Sequence, residues 1–381
     1  MRQLFNKFTR VTSTGSYLPE IDGLRFLAIS WVFVYHLNDF LVKNYHVGGI
    51  KIIQTIFGNG HFGVELFFVI SGFVLSLPFA RYYLKQGKKV YVKQYFLRRL
   101  TRLEPPYFLI MIFLFFVESG RHFDVAKRLV PHLLASLLYA HNIIYPGSLP
   151  AVNSVAWSLE IEIQFYIMMP LLAYIFILQK TTRRTLLVAV MIVMPVIQYF
   201  CKSETLFFYQ FLQYFIAGFL LADIYINYDQ QYFYKPANRI KKNVLTISGM
   251  LVFMGILIIP TSRTNLIYTI FIPLAIVLFY CIVLFIPFWK RIFSVKWISI
   301  IGGMSYTIYL LHGSVMAIFG RFSVKYGITN EYSVYFIIQF FIMATLTMIA
   351  SSLFFYFIER PCMQKDWYIK LYNNLGRRRQ G

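Results

Sequence analysis

The chain has 381 residues, of which 58% are hydrophobic, 19% aromatic and only 14% charged, with a mean hydropathy of +0.60. A soluble globular domain carries about 25% charged and about 45–50% apolar residues, so that class is excluded, and at this length a single membrane domain fills the sequence. The formal net charge of +22 fits topology signals and an anionic inner leaflet and gives no reason to invoke nucleic acid.

The first segment, Met1 to Tyr17, is polar and mildly basic, with no apolar stretch and no cleavage site. It is therefore not a signal peptide, and the first span must itself direct insertion. Ten spans follow, at 24–42, 62–79, 105–118, 155–178, 186–200, 206–226, 244–260, 266–287, 298–319 and 332–358. Several are shorter than the ~20 residues that cross a bilayer. A further apolar segment, 129–145, contains Pro131, His132 and His141 and ends at Asn142 and Pro146-Gly147. It reads as a re-entrant or interfacial helix. Most of the 37 Lys and Arg fall in segments that are cytoplasmic if the N-terminus is inside, so both termini are expected in the cytoplasm. The expected fold is an all-α polytopic bundle of about ten helices. It has a cytoplasmic segment at 1–20, a membrane domain at 21–360 and a basic cytoplasmic tail at 361–381. If the source is bacterial, the membrane is the inner one. No soluble hydrolase-like domain is expected after the last span.

The first span carries Arg25 and His36, eleven residues apart with little polar between them. On an α-helix that spacing leaves the side chains ~20° apart in azimuth and ~16 Å apart along the axis. Ionisable groups within a membrane are costly and mark functional sites by default. The blander alternatives are a core histidine and an interfacial arginine at the helix start. After the second span comes a basic run from Arg81 to Arg102, which on its own reads as a positive-inside loop. Arg98, Arg99 and Arg102, however, have i, i+3 and i, i+4 spacings that bring guanidinium groups to one helix face, and such forks suit phosphate. The fourth span opens with Trp157, Ser158, Glu160 and Glu162. The two carboxylates lie ~200° apart on a helix, so they form no side-by-side dyad: one faces a site and the other pairs elsewhere. Trp157 fits an interface belt as well as a sugar-stacking platform.

Other candidates are Glu65, near the outer end of the second span, and His312, with Gly313 beside it to allow close helix approach. Ser71-Gly72 reads as small-residue packing, and Glu359-Arg360 as a structural pair at the cytoplasmic surface. The remaining histidines (His46, His61, His122, His132 and His141) have no zinc-ligand spacing, and no metal is expected. Cys201, Cys281 and Cys362 suggest neither a disulfide framework nor a metal site. The 40 Phe and 29 Tyr read as lipid-facing and packing surface, with some lining an acceptor groove.

Six motifs in order give the chain a family resemblance. They are Ile21-Asp22-Gly23-Leu24-Arg25 with His36; Phe62-Gly63-Val64-Glu65-Leu66-Phe67-Phe68-Val69-Ile70-Ser71-Gly72-Phe73; and Arg98-Arg99-Leu100-Thr101-Arg102 followed by prolines. Then come Trp157-Ser158-Leu159-Glu160-Ile161-Glu162-Ile163-Gln164-Phe165-Tyr166, Ser305-Tyr306-Thr307-Ile308-Tyr309-Leu310-Leu311-His312 and Ile358-Glu359-Arg360-Pro361. The sequence resembles the acyltransferase 3 family of integral membrane acyltransferases. Glu65 stands where many members look to have Asp, and Glu162 aligns with the family's carboxylate while Glu160 is an extra. The resemblance implies an O-acyltransferase, commonly an O-acetyltransferase, that modifies a cell-surface or membrane-linked glycan such as a lipopolysaccharide or exopolysaccharide. The acyl group would come from cytosolic acyl-CoA, acetyl-CoA above all, as a co-substrate with no permanently bound cofactor. His36 and Glu162 would be catalytic; Arg25, Arg98, Arg99 and Arg102 would bind the donor; Glu65, Trp157, Ser158 and His312 would support the site. The acceptor would be met by this domain or by a separate extracytoplasmic acyl-handling protein. The alternative is a transporter or flippase of a lipid-linked or small anionic substrate. That reading expects two related halves with matching broken helices, whereas the polar residues crowd into the first four spans.

A reporter fused after Gly381 or within 85–93 should report cytoplasm, and one near Asn265 or Gly327 the opposite face. An external signal from 85–93 would reverse the orientation.

Overall fold

A computed structural model describes residues 8–10, 17–45, 57–120, 123–201, 203–228, 239–258, 266–325, 332–364 and 367–368. His46, His122, Asn265, Gly327 and the end of the tail lie outside these. The described residues are mostly helical, with no strand among them. Helix α1 (Pro19–Tyr45) begins with Pro, Glu20 and Asp22 and ends near Lys43, an order that complements the helix dipole. A 3₁₀ turn at Asn59–His61 leads into α2 (Phe62–Lys85), and α3 spans Val92–Ser119. Then come α4 (Phe123–Leu137), α5 (His141–Ile144), α6 (Ala156–Leu172), α7 (Lys180–Phe200) and α8 (Leu212–Asn227). The last third holds α9 (Arg239–Ile258), α10 (Leu266–Phe285), α11 (Pro287–Phe293), α12 (Lys296–Gly303), α13 (Ser305–Lys325) and α14 (Tyr332–Phe354). A π turn at Phe355–Glu359 carries the last span to the short α15 (Arg360–Cys362).

Among the described residues, eight helices are long and apolar enough to cross a membrane, so the protein is an integral, multi-pass membrane protein. The expected ninth span, 298–319, is not one straight helix: α12 and α13 meet at a 69° bend. Gly302 and Gly303 end α12 there. The expected seventh span appears as the shorter apolar helix Asn243–Ile256. The segment 129–145 splits into α4 and α5, neither of which is long enough to count as a span. Between them Tyr139 adopts φ +54°, an uncommon conformation for a residue with a side chain. Its ring stacks on Tyr107 at 4.8 Å and its hydroxyl donates to Glu104 at 3.1 Å.

Helices α2 and α8 form the centre, with 78% and 67% of their apolar windows buried against 22–44% for the other six. Lipid tails are as apolar as leucine, so contact between membrane helices rests on close packing and hydrogen bonds. Glycine supplies the packing. A Cβ on Gly72 would lie 2.2 Å from the carbonyl oxygen of Phe215, and one on Gly218 2.4 Å from both the Val69 oxygen and the Phe73 nitrogen. The two glycines interlock the backbones of α2 and α8. Elsewhere in the bundle a Cβ on Gly302 would lie 1.7 Å from the Asp22 oxygen, and one on Gly23 2.0 Å from the Phe293 oxygen. These contacts press the first turn of α1 against α11 and α12. Gly313, expected to allow close approach, has open space around its missing Cβ: the close contacts belong to other glycines.

Tyrosine supplies the hydrogen bonds. Hydroxyls donate to backbone carbonyls across helices: Tyr280 to Leu66 at 3.1 Å, Tyr306 to Leu103 at 3.0 Å, Tyr107 to Ser136 at 3.0 Å and Tyr309 to Val155 at 3.1 Å. Part of the tyrosine content is therefore cross-linking rather than lipid-facing surface. A buried ion cluster does the same between α7 and α8, where Asp223 accepts from Arg183 at 2.7 Å and from Arg184 at 2.5 Å.

Gly218→Ala should destabilise the protein by ~1–3 kcal/mol, the usual cost of overpacking, because only backbone surrounds the added carbon. Gly313→Ala should leave the melting temperature in detergent unchanged. Equal effects would remove the interlock from the account.

Candidate functional site

A cavity of about 110 Å³ opens between α1, α2, α3, α6, α12 and α13, with Arg10 of the N-terminal segment in its wall. Its lining on α2 runs from Val64 to Leu75, a rise of ~16 Å. The space is a slot suited to an extended chain rather than a compact group.

One part of the slot is cationic: Arg10, Arg25, Arg99 and Arg102 all line it. Asp22, almost wholly buried on the first turn of α1, accepts from Arg25 and, at 3.3 Å, from Arg10. Tyr17 stands beside this carboxylate, and burial together with the Asp22 charge pushes its hydroxyl up to about 12. Arg99 lies 6.0 Å and 5.9 Å from the ring centres of Tyr95 and Tyr166, a cation–π arrangement. The Nε of Arg102 has no hydrogen-bond partner among the described residues. Glu359 is its carboxylate neighbour.

Elsewhere the lining is neutral or acidic. Ser71 Oγ donates to Glu162 Oε1 at 2.5 Å. Ser158 and Tyr309 share a hydroxyl–hydroxyl contact of 2.7 Å. Behind Tyr309 the buried ring of His312 lies 5.8 Å away, and His36 packs on His312 at 5.0 Å. His312 Nδ1 faces the carbonyls of Tyr309 and Ile308 at 2.7 and 3.1 Å, which assigns the hydrogen to Nδ1. Its Nε2 has no partner among the described residues.

The slot therefore brings together Arg25, Arg99, Arg102, Ser158 and Glu162 from the sequence-based set. Arg98 is exposed and absent from the lining, although its spacing suggested convergence with the other two. His36 shares α1 with Arg25 but sits one layer behind the slot, against His312. Glu65 is buried on the first turn of α2, within electrostatic reach of Tyr309. Trp157 is half-buried against Phe211 at 5.5 Å and outside the lining. Glu160 points away from the slot and accepts the Asn142 N–H at 2.8 Å.

Two residues differ from their expected roles, and a third, Arg10, had none. Ser71 is a polar partner of Glu162, and the packing is done by Gly72. Adjacent helix positions are ~100° apart, so both could not face α8; that signal was available in the sequence. Glu359 is not at the surface: it is 1% exposed and accepts from Thr307. The π turn adds a residue to the helix and turns the carboxylate inward. Arg10 lay in a segment with no periodicity to mark it. Among the described residues no three His, Cys, Asp or Glu side chains converge as metal ligands. His132 Nδ1 and His141 Nε2 approach to 2.9 Å; burial and the neighbouring His132 hold the His141 imidazole below the usual histidine range.

A multi-pass helical bundle enclosing a slot with clustered arginines and a carboxylate, backed by a histidine pair, agrees with the membrane acyltransferase class that the sequence motifs resemble. The chain belongs to the acyltransferase 3 family, whose acyltransferase domain matches residues 18–356. It is 28% identical over 375 residues to O-acetyltransferase OatA of Staphylococcus aureus strain NCTC 8325, covering 92% of this chain and 58% of that protein. It is 31% identical over 170 residues to the peptidoglycan O-acetyltransferase OatA of Listeria monocytogenes, covering 42% of this chain and 25% of that protein. The chain thus spans little more than half the length of the staphylococcal relative. No solved structure matches it.

Breaking a buried ion pair costs roughly 3–5 kcal/mol because the partner charge stays behind. Asp22→Asn, which keeps the shape and leaves two guanidinium groups uncompensated, should lose stability on that scale. Asp39→Asn, which breaks the exposed pair with Lys43, should change it by less than ~0.5 kcal/mol. Unfolding in detergent compares the two, and equal losses would refute the anchoring role of Asp22.

Proposed function

We propose that this protein moves an acyl group, acetyl in the simplest case, from cytosolic acyl-CoA to a hydroxyl of a cell-surface or membrane-linked glycan. One observation carries the reading: a single slot joins four guanidinium groups to a hydroxyl–carboxylate pair, with a histidine pair packed behind its wall at Tyr309. Guanidinium groups at one end suit the phosphates of a CoA. The extent of the slot along α2 suits the arm that carries a thioester inward. Thioester-to-alcohol transfer then needs a base and charge stabilisation at the carbonyl, which His36, Glu162 and the arginines would supply. The acceptor class follows from the relatives, one of which is named for peptidoglycan. With both termini cytoplasmic, Arg99 and Arg102 at the start of α3 would meet the donor, and the acceptor would approach from the far side.

Charge-assisted hydrogen bonds contribute about 1.5–3 kcal/mol each. Arg99→Ala and Arg102→Ala should each weaken acetyl-CoA binding roughly 10- to 150-fold, less at high salt. Arg98→Ala, at an exposed position outside the slot, should weaken it far less. Unchanged affinity in a folded Arg99/Arg102 double variant would reduce the cluster to a topology signal. His36→Gln should keep acetyl-CoA binding and lower transfer to soluble peptidoglycan fragments by ~10²–10⁴, the usual contribution of a positioned base. Wild-type turnover in that variant would make the imidazole structural.

A further inference from the structure

The arrangement of Ser71 carries an inference that rests on the acyl-CoA reading and goes beyond it. We infer that Ser71 is a nucleophile, that Glu162 is its base, and that the acyl group passes through a covalent acyl-serine before it reaches the acceptor.

A hydroxyl nucleophile is recognised by a hydrogen bond to a positioned base. Among the serines that line the slot, Ser71 meets that test: its Oγ donates to Glu162 Oε1 at 2.5 Å. Ser158 has no carboxylate partner, being engaged with Tyr309 and with the Val155 carbonyl at 3.3 Å. Tyr306 donates to the Leu103 carbonyl. Tyr166 also reaches Glu162, but the Arg99 guanidinium stands over its ring.

The Ser71–Glu162 pair is braced from one point. Gly72 presses α2 onto the backbone of Phe215, and the ring of Phe215 stacks on Phe165 of α6 at 3.9 Å. Ser71 and Glu162 each stand within three residues of these contacts, so their separation is set by α8 rather than by two mobile side chains. Four guanidinium groups line the same slot, where positive charge favours both a carboxylate base and a developing oxyanion. His36 is not in the lining. A thioester held in the slot has Ser71–Glu162 in its walls, while His36 waits behind Tyr309 and His312.

The step balances. Ser71 Oγ bonds to the thioester carbonyl carbon as its proton passes to Glu162. Collapse of the tetrahedral species breaks the C–S bond, and the CoA sulfur leaves as the thiol with the proton from Glu162. In the second half, the acceptor hydroxyl attacks the serine ester and gives its proton to a base. Ser71 Oγ then leaves and is reprotonated. No oxidant or further reactant is needed. Because CoA departs first, donor and acceptor never share the 110 Å³ slot, and the kinetics are ping-pong.

The test uses the full chain in detergent with radiolabelled acetyl-CoA and no acceptor, quenched in acid. Wild type should release free thiol and retain an equal amount of label on the peptide containing Ser71. Glu162→Gln should slow labelling by ~10²–10⁴. Ser71→Ala should carry no label while still binding acetyl-CoA, and Ser71→Cys should be labelled as a thioester sensitive to hydroxylamine. Label that persists in Ser71→Ala, on Tyr166 or elsewhere, overturns the proposal. So does transfer to soluble peptidoglycan fragments with no covalent label at any quench time in either wild type or His36→Gln; thiol release in that case leaves the donor reading standing. No thiol release by wild type, with or without those fragments, removes the donor and the acyl-serine with it.

Discussion

Four guanidinium groups stand around one slot in a bundle built to sit in lipid, and much of the architecture serves to compensate them. Moving an ion of this size into a low-dielectric interior costs on the order of 20 kcal/mol in the idealised limit, several kcal/mol after relaxation. The compensation is local. Asp22 holds Arg10 and Arg25, Glu359 neighbours Arg102, the faces of Tyr95 and Tyr166 take Arg99, and Glu162 completes the set. Four cations against three carboxylates leave the slot positive, which is the sign an anionic donor requires.

Each compensating group reaches its place through a packing or backbone device. Asp22 is set by the contact of Gly302 with its own carbonyl, Glu359 by the π turn, and Glu162 by the stacking of α6 on Phe215. At Asp22 no residue larger than glycine could substitute at position 302, because the contact there is with the main chain. Packing and electrostatics are thus one problem at Asp22: the approach that excludes a Cβ on Gly302 is also the approach that brings the carboxylate under two cations.

Much of this was legible in the sequence, and the parts that were not have physical reasons. The long apolar runs of α1 and α2 and the spacing of Arg25 from His36 survive in the fold because a continuous helix keeps its period. The opposed directions of Glu160 and Glu162 follow from the same arithmetic. Arg98 went the other way: i, i+4 spacing says that two side chains are neighbours, not that both face inward. The inward turn of Glu359 depends on one inserted residue in a helical turn, which no periodicity marks. Arg10 belongs to a stretch whose sequence has no periodicity to mark it, and its ion pair with Asp22 places it. The bend at Met304 was hidden in an apolar run, where Gly302-Gly303 was the sign of it.

That bend has an electrical consequence. Breaking the span starts a fresh helix at Ser305, and Ser305 and Tyr306 bring its first turn to the wall of the slot. The start of an α-helix carries about half a positive elementary charge, from amide groups that no earlier turn accepts. This charge belongs to the path of the chain, not to any side chain. It neither titrates nor depends on which residue occupies 305 or 306. The first turn of α13 therefore adds to the field in the slot alongside the arginines and independently of them.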